Sequence, residues 1–357
     1  MRRRPSTFYL ILATLPAFLA CPGIAPARAE EAPRSRALFE SAGVLAVRLE
    51  APIGALMRER SESEYLDGFL RYAEADGGER VFDLKVRPRG RYRRQKDVCD
   101  LPPLRLNFRK KQVEGTLFDG QDKLKLVTHC DNSRVAYEYN VLKEYLGYRI
   151  LNIMTPLSFR VRLLRVDYAD TGTERKARTK YAFLIEDEEE MANRLGLQEA
   201  RVKSLTFEQL EPGQAALVSV FQYLIGNTDY SMLRGPRDTH CCHNIVLLID
   251  ERGRYVPVPY DFDFSGLVDA PYAGPNPELD IETVTDRLYR GYCGSNDLLA
   301  EAVAAFVAQR DAITQLIDGL DGLPARNRRS AGRFIDQFYA RVSTPERIER
   351  YLFRECL

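Results

Sequence analysis

The sequence predicts an α+β fold in two lobes, a β-rich N-terminal half followed by a mostly helical C-terminal half. Three observations carry this. Alternating apolar and polar residues cluster between positions 44 and 185, with one helical-period segment inserted among them. Helical spacing dominates after position 210. The chain has 357 residues, 45% hydrophobic and 29% charged, which is a globular composition too long for one small core. The expected division is residues 1–29 as a signal peptide, 30–186 as the β-rich lobe and 187–357 as the helical lobe.

Residues 1–29 have the three parts of a secretory signal. Arg2, Arg3 and Arg4 form a charged start, Phe8 to Ala20 is a short apolar run, and Ala27-Arg28-Ala29 precedes the expected cut before Glu30. Two alternatives compete. A retained anchor needs a longer apolar run than this one, and lipidation at Cys21 is opposed by the residue order around it and by Pro22. The expected product is periplasmic or secreted, with no stable membrane insertion once the signal is removed. Lys plus Arg is 52 and Asp plus Glu is 51, for a net charge of +1. Residues 1–29 hold four arginines and no acids, so the remainder stands at −3. That balance argues against a nucleic-acid partner.

Val44 to Leu49 reads as the first strand, and the polar segment after it as peripheral. Val81–Val86, Leu104–Phe108 and Leu124–Val127 follow as strands. An arginine-rich loop with Arg87, Arg89, Gly90, Arg91, Arg93 and Arg94 lies between the first two of these. Arg134 to Tyr148 reads as a helix, with Val135, Tyr139, Leu142 and Leu146 at helical spacing. Phe159–Val166 and Tyr181–Ile185 return to strand. The acidic run Asp187-Glu188-Glu189-Glu190 reads as a solvated helix start. Gln214–Ile225 reads as a buried helix. Asn244–Ile249 and Tyr255–Val258 form a hairpin across Glu251-Arg252-Gly253. Leu298–Leu320 and Arg333–Tyr351 read as amphipathic helices.

Six cysteines remain beyond residue 29, an even number that suggests disulfides in an exported chain. Cys99 could pair with Cys130 and Cys293 with Cys356. A bridge from Cys241 or Cys242 could tie down the segment around them. Six cysteines allow fifteen pairings, so connectivity stays open.

The informative stretch is Gly226-Asn227-Thr228-Asp229, then His243-Asn244, then Tyr260-Asp261-Phe262-Asp263. A helix delivers Asp229 into a loop, the loop enters a strand at Asn244, and a tight hairpin brings Asp261 back beside that strand's start. The converging oxygens suit a hard divalent ion such as Mg²⁺, and a carboxylate is left to orient a hydroxyl. This is the part list of phosphoryl transfer.

That order of Gly-Asn-x-Asp, Asn and aromatic-Asp-x-Asp resembles the catalytic region of atypical protein kinases, nearest to the spore-coat CotH kinase family and more distantly to HipA-type kinases. The resemblance spans roughly residues 80–270 and implies a two-lobed kinase-like fold using ATP and Mg²⁺ to phosphorylate a protein hydroxyl. It implies Asp229 as the catalytic Asp, Asn244 and Asp261 as metal ligands, and Asp263 as a further acid at the metal. It also implies that Arg89 and Gly90 belong to a phosphate loop. Lys125, with Lys123 as the alternative, would pair the phosphates, held by Glu138. One departure stands out: Asp229 and Asn244 are fifteen positions apart, and an insertion that displaced Asn244 would leave a pseudokinase.

Other readings compete. Asp261 and Asp263 could hold structural Ca²⁺. His240-Cys241-Cys242-His243 invites a zinc or copper reading, but adjacent cysteines rarely ligate one ion and no second ligand cluster is near. The chain has three histidines and no Gly-x-Ser-x-Gly, so a Ser-His hydrolase is poorly supported.

Overall fold

Strand alternation closes the N-terminal half on itself. The computed structural model describes residues 37–74, 77–236 and 239–357, so the expected signal peptide, its cleavage site and Cys21 lie outside the described residues. In chain order the first elements are α1 (Ala37–Glu40), β1 (Leu45–Ala51), α2 (Ile53–Glu59), β2 (Leu66–Ala73), β3 (Glu79–Pro88) and β4 (Leu104–Phe108). Then come α3 (Lys110–Val113), β5 (Lys123–Val127), the long α4 (Val135–Met154), β6 (Val161–Asp170) and β7 (Arg178–Ile185). The remainder is α5 (Glu188–Leu195), β8 (Gln198–Ala200), α6 (Pro212–Ile225), β9 (Ile245–Ile249) and β10 (Tyr255–Pro259), followed by α7 (Asn296–Ala308), α8 (Arg310–Asp318), α9 (Ala325–Arg341) and α10 (Pro345–Tyr351).

The seven strands β1 to β7 form a closed barrel in the order β1-β2-β3-β4-β5-β7-β6. Closure comes from β1 and β6, which pair in parallel from Leu45 opposite Leu164 to Ala51 opposite Asp170. Every other barrel pair is antiparallel. A second sheet of three strands has the order β10-β9-β8, which puts Pro257 and Pro259 on an edge strand where a missing N–H is tolerated.

This corrects the expected two-lobed, kinase-like fold with a β-rich N-lobe and a helical C-lobe. The first half is a closed barrel, not an open lobe, and helices and strands mix on both sides of residue 186. The physical reason is double burial of β6 and β7. Leu164, Val166, Ala182 and Leu184 point into the barrel core. Val161, Leu163, Phe183 and Ile185 point outward and pack in one core with α4, α6 and the C-terminal helices. Strands buried on both faces tie the two halves into one body, and the described residues form one compact unit.

The local expectations fare better than the global one. Asp187 caps α5 by accepting the Glu189 N–H, so the acidic run is a helix start. The expected 298–320 and 333–351 helices are each two helices, broken at Gln309 and between Arg341 and Pro345. Strand β2 arises in the segment expected to be peripheral. Its inward face is Gly68, Leu70 and Tyr72, while Phe69 points out and is 40% exposed, so its hydrophobic pattern is blurred.

Among the described residues three disulfides form: Cys99–Cys130, Cys293–Cys356 and the vicinal pair Cys241–Cys242. The first two are pairings that the sequence suggested. Such bonds are compatible with an extracellular or periplasmic location. Among the described residues, no helix is long and apolar enough to cross a membrane.

Candidate functional site

Asp229 is placed by the end of α6. Gly226 caps that helix at φ 63°, and its N–H bonds back to the carbonyls of Gln222 and Tyr223. A Cβ there would sit 2.8 Å from the Phe334 ring, so both the backbone and the space call for glycine. Asn227 then donates from its side chain to Gln222 and accepts the Asp229 N–H at 3.0 Å. The turn aims Asp229 at the cleft.

The fifteen-residue excursion after Asp229 is pinched shut at its base. Ser231 and His243 exchange backbone hydrogen bonds at 3.0 and 3.1 Å, so the chain returns to where it left. The insertion therefore does not displace Asn244. Its side-chain amide donates to the Asp229 carbonyl at 2.8 Å and to Asp229 Oδ2 at 3.0 Å. His243 Nε2 lies 2.7 Å from Asp229 Oδ1, and this bond raises the imidazole pKa above its ordinary value. The Cys241–Cys242 disulfide directly precedes His243.

The β9–β10 hairpin supplies the remaining acids. Tyr260 N–H bonds to the Asn244 carbonyl, which sets Asp261 beside Asn244. Asn244 and Asp261 both have left-handed backbone, at φ 52° and 62°. Two non-glycine residues held that way at one site store local strain. Asp261 N–H donates to the Tyr148 hydroxyl oxygen at 2.9 Å, which anchors the turn to α4. Asp263 is buried and accepts the Tyr272 hydroxyl at 3.0 Å.

A buried guanidinium organises these acids. Arg93 lies 3.3 Å from Glu144, 3.4 Å from Asp261 and 3.2 Å from Asp263. Burial pushes Glu144 and Asp263 above the usual carboxylate range, and Arg93 acts against that rise. Glu144 Oε1 has no hydrogen-bond partner.

These groups open onto a cleft of about 550 Å³. It takes in Arg89, Gly90, Arg93, Asp229, His243, Asn244, Asp261 and Asp263. Gly90 adopts φ 86°, and Arg89 and Asp261 interact electrostatically. The rings of Tyr92, Phe264 and Tyr272 form an aromatic wall with centroids 5.3–6.2 Å apart.

Of the expected site residues, Asp229, Asn244, Asp261, Asp263, Arg89 and Gly90 converge. Lys125 and Glu138 do not join in the expected way. Lys125 is buried on the outer face of β5, 2.5 Å from Glu188 and above the rings of Phe159 and Tyr260. It is not part of the cleft wall, although Arg89 and Arg105 act on its charge. Glu138 pairs with Lys180 at 3.2 Å and accepts the Tyr181 N–H. Lys123, the alternative, is exposed.

Sequence reasoning missed Arg93 as a hub, together with Glu144, His243, Tyr272 and Glu188. Glu144 gave a signal: an acid between Val141, Leu142 and Tyr145 on the buried face of a helix needs a partner.

Among the described residues, no three His, Cys, Asp or Glu side chains are grouped so as to hold a metal ion. Mg²⁺ is usually held by one or two carboxylates together with substrate phosphates and water. The Asp261 carboxylate, 38% exposed and open to the cleft, fits that role. Comparison with protein-family models gives no match for this chain, and comparison with curated proteins gives none either.

Proposed function

We propose that the cleft binds ATP with Mg²⁺ and transfers a phosphoryl group to a protein hydroxyl, in a protein exported by cleavage after Ala29. The proposal rests on the residue set, and not on the kinase-like architecture that the barrel replaces. The observation that carries it is the convergence of Asp229, Asn244 and Asp261 from three separate segments onto one cleft that also holds Arg89 and Gly90. In this reading the chain shares its chemistry with the CotH-type kinases.

Each group has a task that its position allows. Arg89 and the Gly90 turn receive phosphate oxygens. Asp261 and Asn244 provide metal-facing oxygens, with Asp263 behind them, and the metal neutralises phosphate charge when bound. Asp229 accepts the hydrogen bond of the incoming hydroxyl and takes its proton. The acceptor oxygen bonds to the γ-phosphorus as the bond to the ADP oxygen breaks. His243 and Asn244 keep the Asp229 carboxylate oriented.

A non-catalytic binding module is the second reading, and Arg93 favours it. Its guanidinium already lies against Asp261 and Asp263, which a catalytic metal would use.

Melting temperature with ATP and Mg²⁺, each alone and together, tests both readings, because a ligand of the native state alone must raise it. The expected result is a rise that needs both and disappears in Asp261→Ala. Phosphate incorporation into added protein acceptors should then be lost in Asp229→Asn with little change in fold. Stabilisation with no incorporation selects the binding reading, and no stabilisation by any combination refutes both.

A further inference from the structure

The loop between β3 and β4, residues 89–100, supplies one wall of the cleft through Arg89, Gly90, Arg91, Tyr92, Arg93 and Gln95. It contains no helix or strand, so its backbone polar groups need partners from elsewhere. Its two ends are fixed. The Arg89 N–H donates to the Pro103 carbonyl at 2.8 Å, and the Cys99–Cys130 disulfide ties the far end to the segment before α4. The middle is held by Arg60, which stands at the end of α2 and outside the cleft wall.

Arg60 is buried, and its guanidinium donates to five backbone carbonyls. These are Met57 at 2.9 Å, Arg94 at 3.0 Å, Gln95 at 3.1 Å, Cys99 at 2.8 Å and Asp100 at 3.2 Å. All five donors of the fork are thereby used, and four of the five acceptors belong to the loop. Among the described residues Arg60 forms no ion pair; Asp100 and Asp97 act on it through their charge. The Arg94 side chain answers in the opposite direction. It donates to the Arg60 carbonyl at 2.9 Å and to the Gly90 carbonyl at 2.9 Å, so one residue links Arg60 to the glycine turn in the cleft. Arg60 also has left-handed backbone, at φ 50°. An arginine keeps that conformation only where its surroundings over-determine it.

We propose that Arg60 is a positioning residue for phosphate binding: it holds loop 89–100 in the shape that presents Arg89, Gly90 and Arg93 to the cleft. The proposal rests on the reading of that cleft as a site for ATP with Mg²⁺. The five arginines between positions 87 and 94 then divide by task. Arg89 and Arg93 face the cleft, whereas Arg94 turns back to Arg60 and Glu62 and holds the loop's own backbone. Charge alone cannot do the work of Arg60. A lysine ammonium offers three donors from one point, and the carbonyls of Met57 and of four loop residues need a planar fork. Without the fork the buried Cys99 carbonyl loses its side-chain donor, and the loop must move to satisfy it.

The test compares the oxidised wild type with Arg60→Lys and Arg94→Met. Arg94 is partly exposed, so its variant keeps the experiment decisive should Arg60→Lys fail to fold. Amide hydrogen exchange read by mass spectrometry reports the loop without any ligand, and calorimetric titration with ATP and Mg²⁺ reports the cleft. Exchange across residues 89–100 should quicken about tenfold or more in both variants, while the barrel strands keep wild-type protection. The apparent Kd for ATP with Mg²⁺ should weaken about tenfold, the loss typical of one charge-assisted hydrogen bond. Loop exchange like the wild type in both variants overturns the proposal. So does a loosened loop that binds ATP with Mg²⁺ as tightly as before, because Arg60 would then support the loop with no effect on the site. A wild type that binds no ATP with Mg²⁺ refutes the nucleotide reading instead, and the exchange data then still decide whether Arg60 holds the loop.

Discussion

Replacing Arg93 by Met keeps most of the buried stem and removes the charge, and it isolates the hub of the cleft. The guanidinium contacts three carboxylates at 3.2–3.4 Å, and its side chain is 7% exposed. At an effective dielectric of about 20, each such contact is a gross attraction of about 5 kcal/mol. Desolvation offsets most of that in the intact cluster, but removing one side strands the other. The expected cost is about 3–5 kcal/mol, the range for a broken buried pair. It must also depend on pH, with a definite sign. Burial holds the folded-state pKa values of Glu144 and Asp263 above their unfolded values. A carboxyl raised in this way stabilises the fold while protonated. Its contribution is complete below the unfolded pKa of about 4 and is lost as pH rises through the folded-state value. The contribution of these two groups to the wild type is therefore smaller at pH 8 than at pH 5. In Arg93→Met both pKa values rise further, so the deficit is large at pH 8 and shrinks at pH 5, where protons take over the neutralising role. Urea unfolding followed by far-UV circular dichroism at the two pH values measures this. Glu144→Gln added to Arg93→Met should recover part of the loss at pH 8. An Arg93→Met deficit that is equal at both pH values, or absent at both, would refute the assignment of Arg93 as counter-ion to this cluster.

Two further outcomes follow from the site and the staples. His243 should titrate above its ordinary value of about 6.5 in an NMR pH series and move down in Asp229→Asn, because the Asp229 bond is the leading cause of the rise. Its protonated form then supports the fold below the unfolded pKa and ceases to as pH passes the folded value, and an unchanged titration in Asp229→Asn would remove Asp229 as the cause. The Cys293–Cys356 bridge closes 63 residues of sequence; replacing both cysteines by serine should lower stability by about 4 kcal/mol on the loop-entropy model, read by urea unfolding as a lower midpoint with a larger m-value, because the uncrosslinked denatured chain exposes more surface.

The sequence made individual elements legible wherever one face decided them. β4 alternates buried and half-buried residues, and the predicted Leu104–Phe108 segment matches it residue for residue. The end of α6 was legible because Gly226 can take a left-handed conformation. Barrel closure was not legible. It depends on β1 pairing in parallel with β6, more than a hundred residues away, and no local pattern encodes that contact. β6 and β7 carry apolar residues on both faces, and in the sequence this reads as a generic buried strand with no indication of what covers each side.

The site followed the same division. Asp229, Asn244, Asp261 and Asp263 were legible because turns punctuate the chain next to each: Gly226, the 243–244 return and the β9–β10 hairpin. Lys125 was assigned a partner by chain order, and order misled. Residue 138 is on α4 but faces Lys180 on β7, whereas Glu188, just past the barrel, reaches Lys125. Arg93 was hidden among five loop arginines between positions 87 and 94 that are alike in sequence and differ greatly in burial. Arg91 is exposed, whereas Arg93 is enclosed by three acids. That enclosure bears on the choice between catalysis and mere binding. A guanidinium fixed against Asp261 and Asp263 keeps both carboxylates in place when no ligand is bound, yet it competes with a metal for Asp261. The Asp261 contact, at 3.4 Å, is the longest of the three and involves the only half-exposed acid. It is therefore the contact a metal–phosphate ligand can displace at least cost, leaving Arg93 bound to Glu144 and Asp263 behind it.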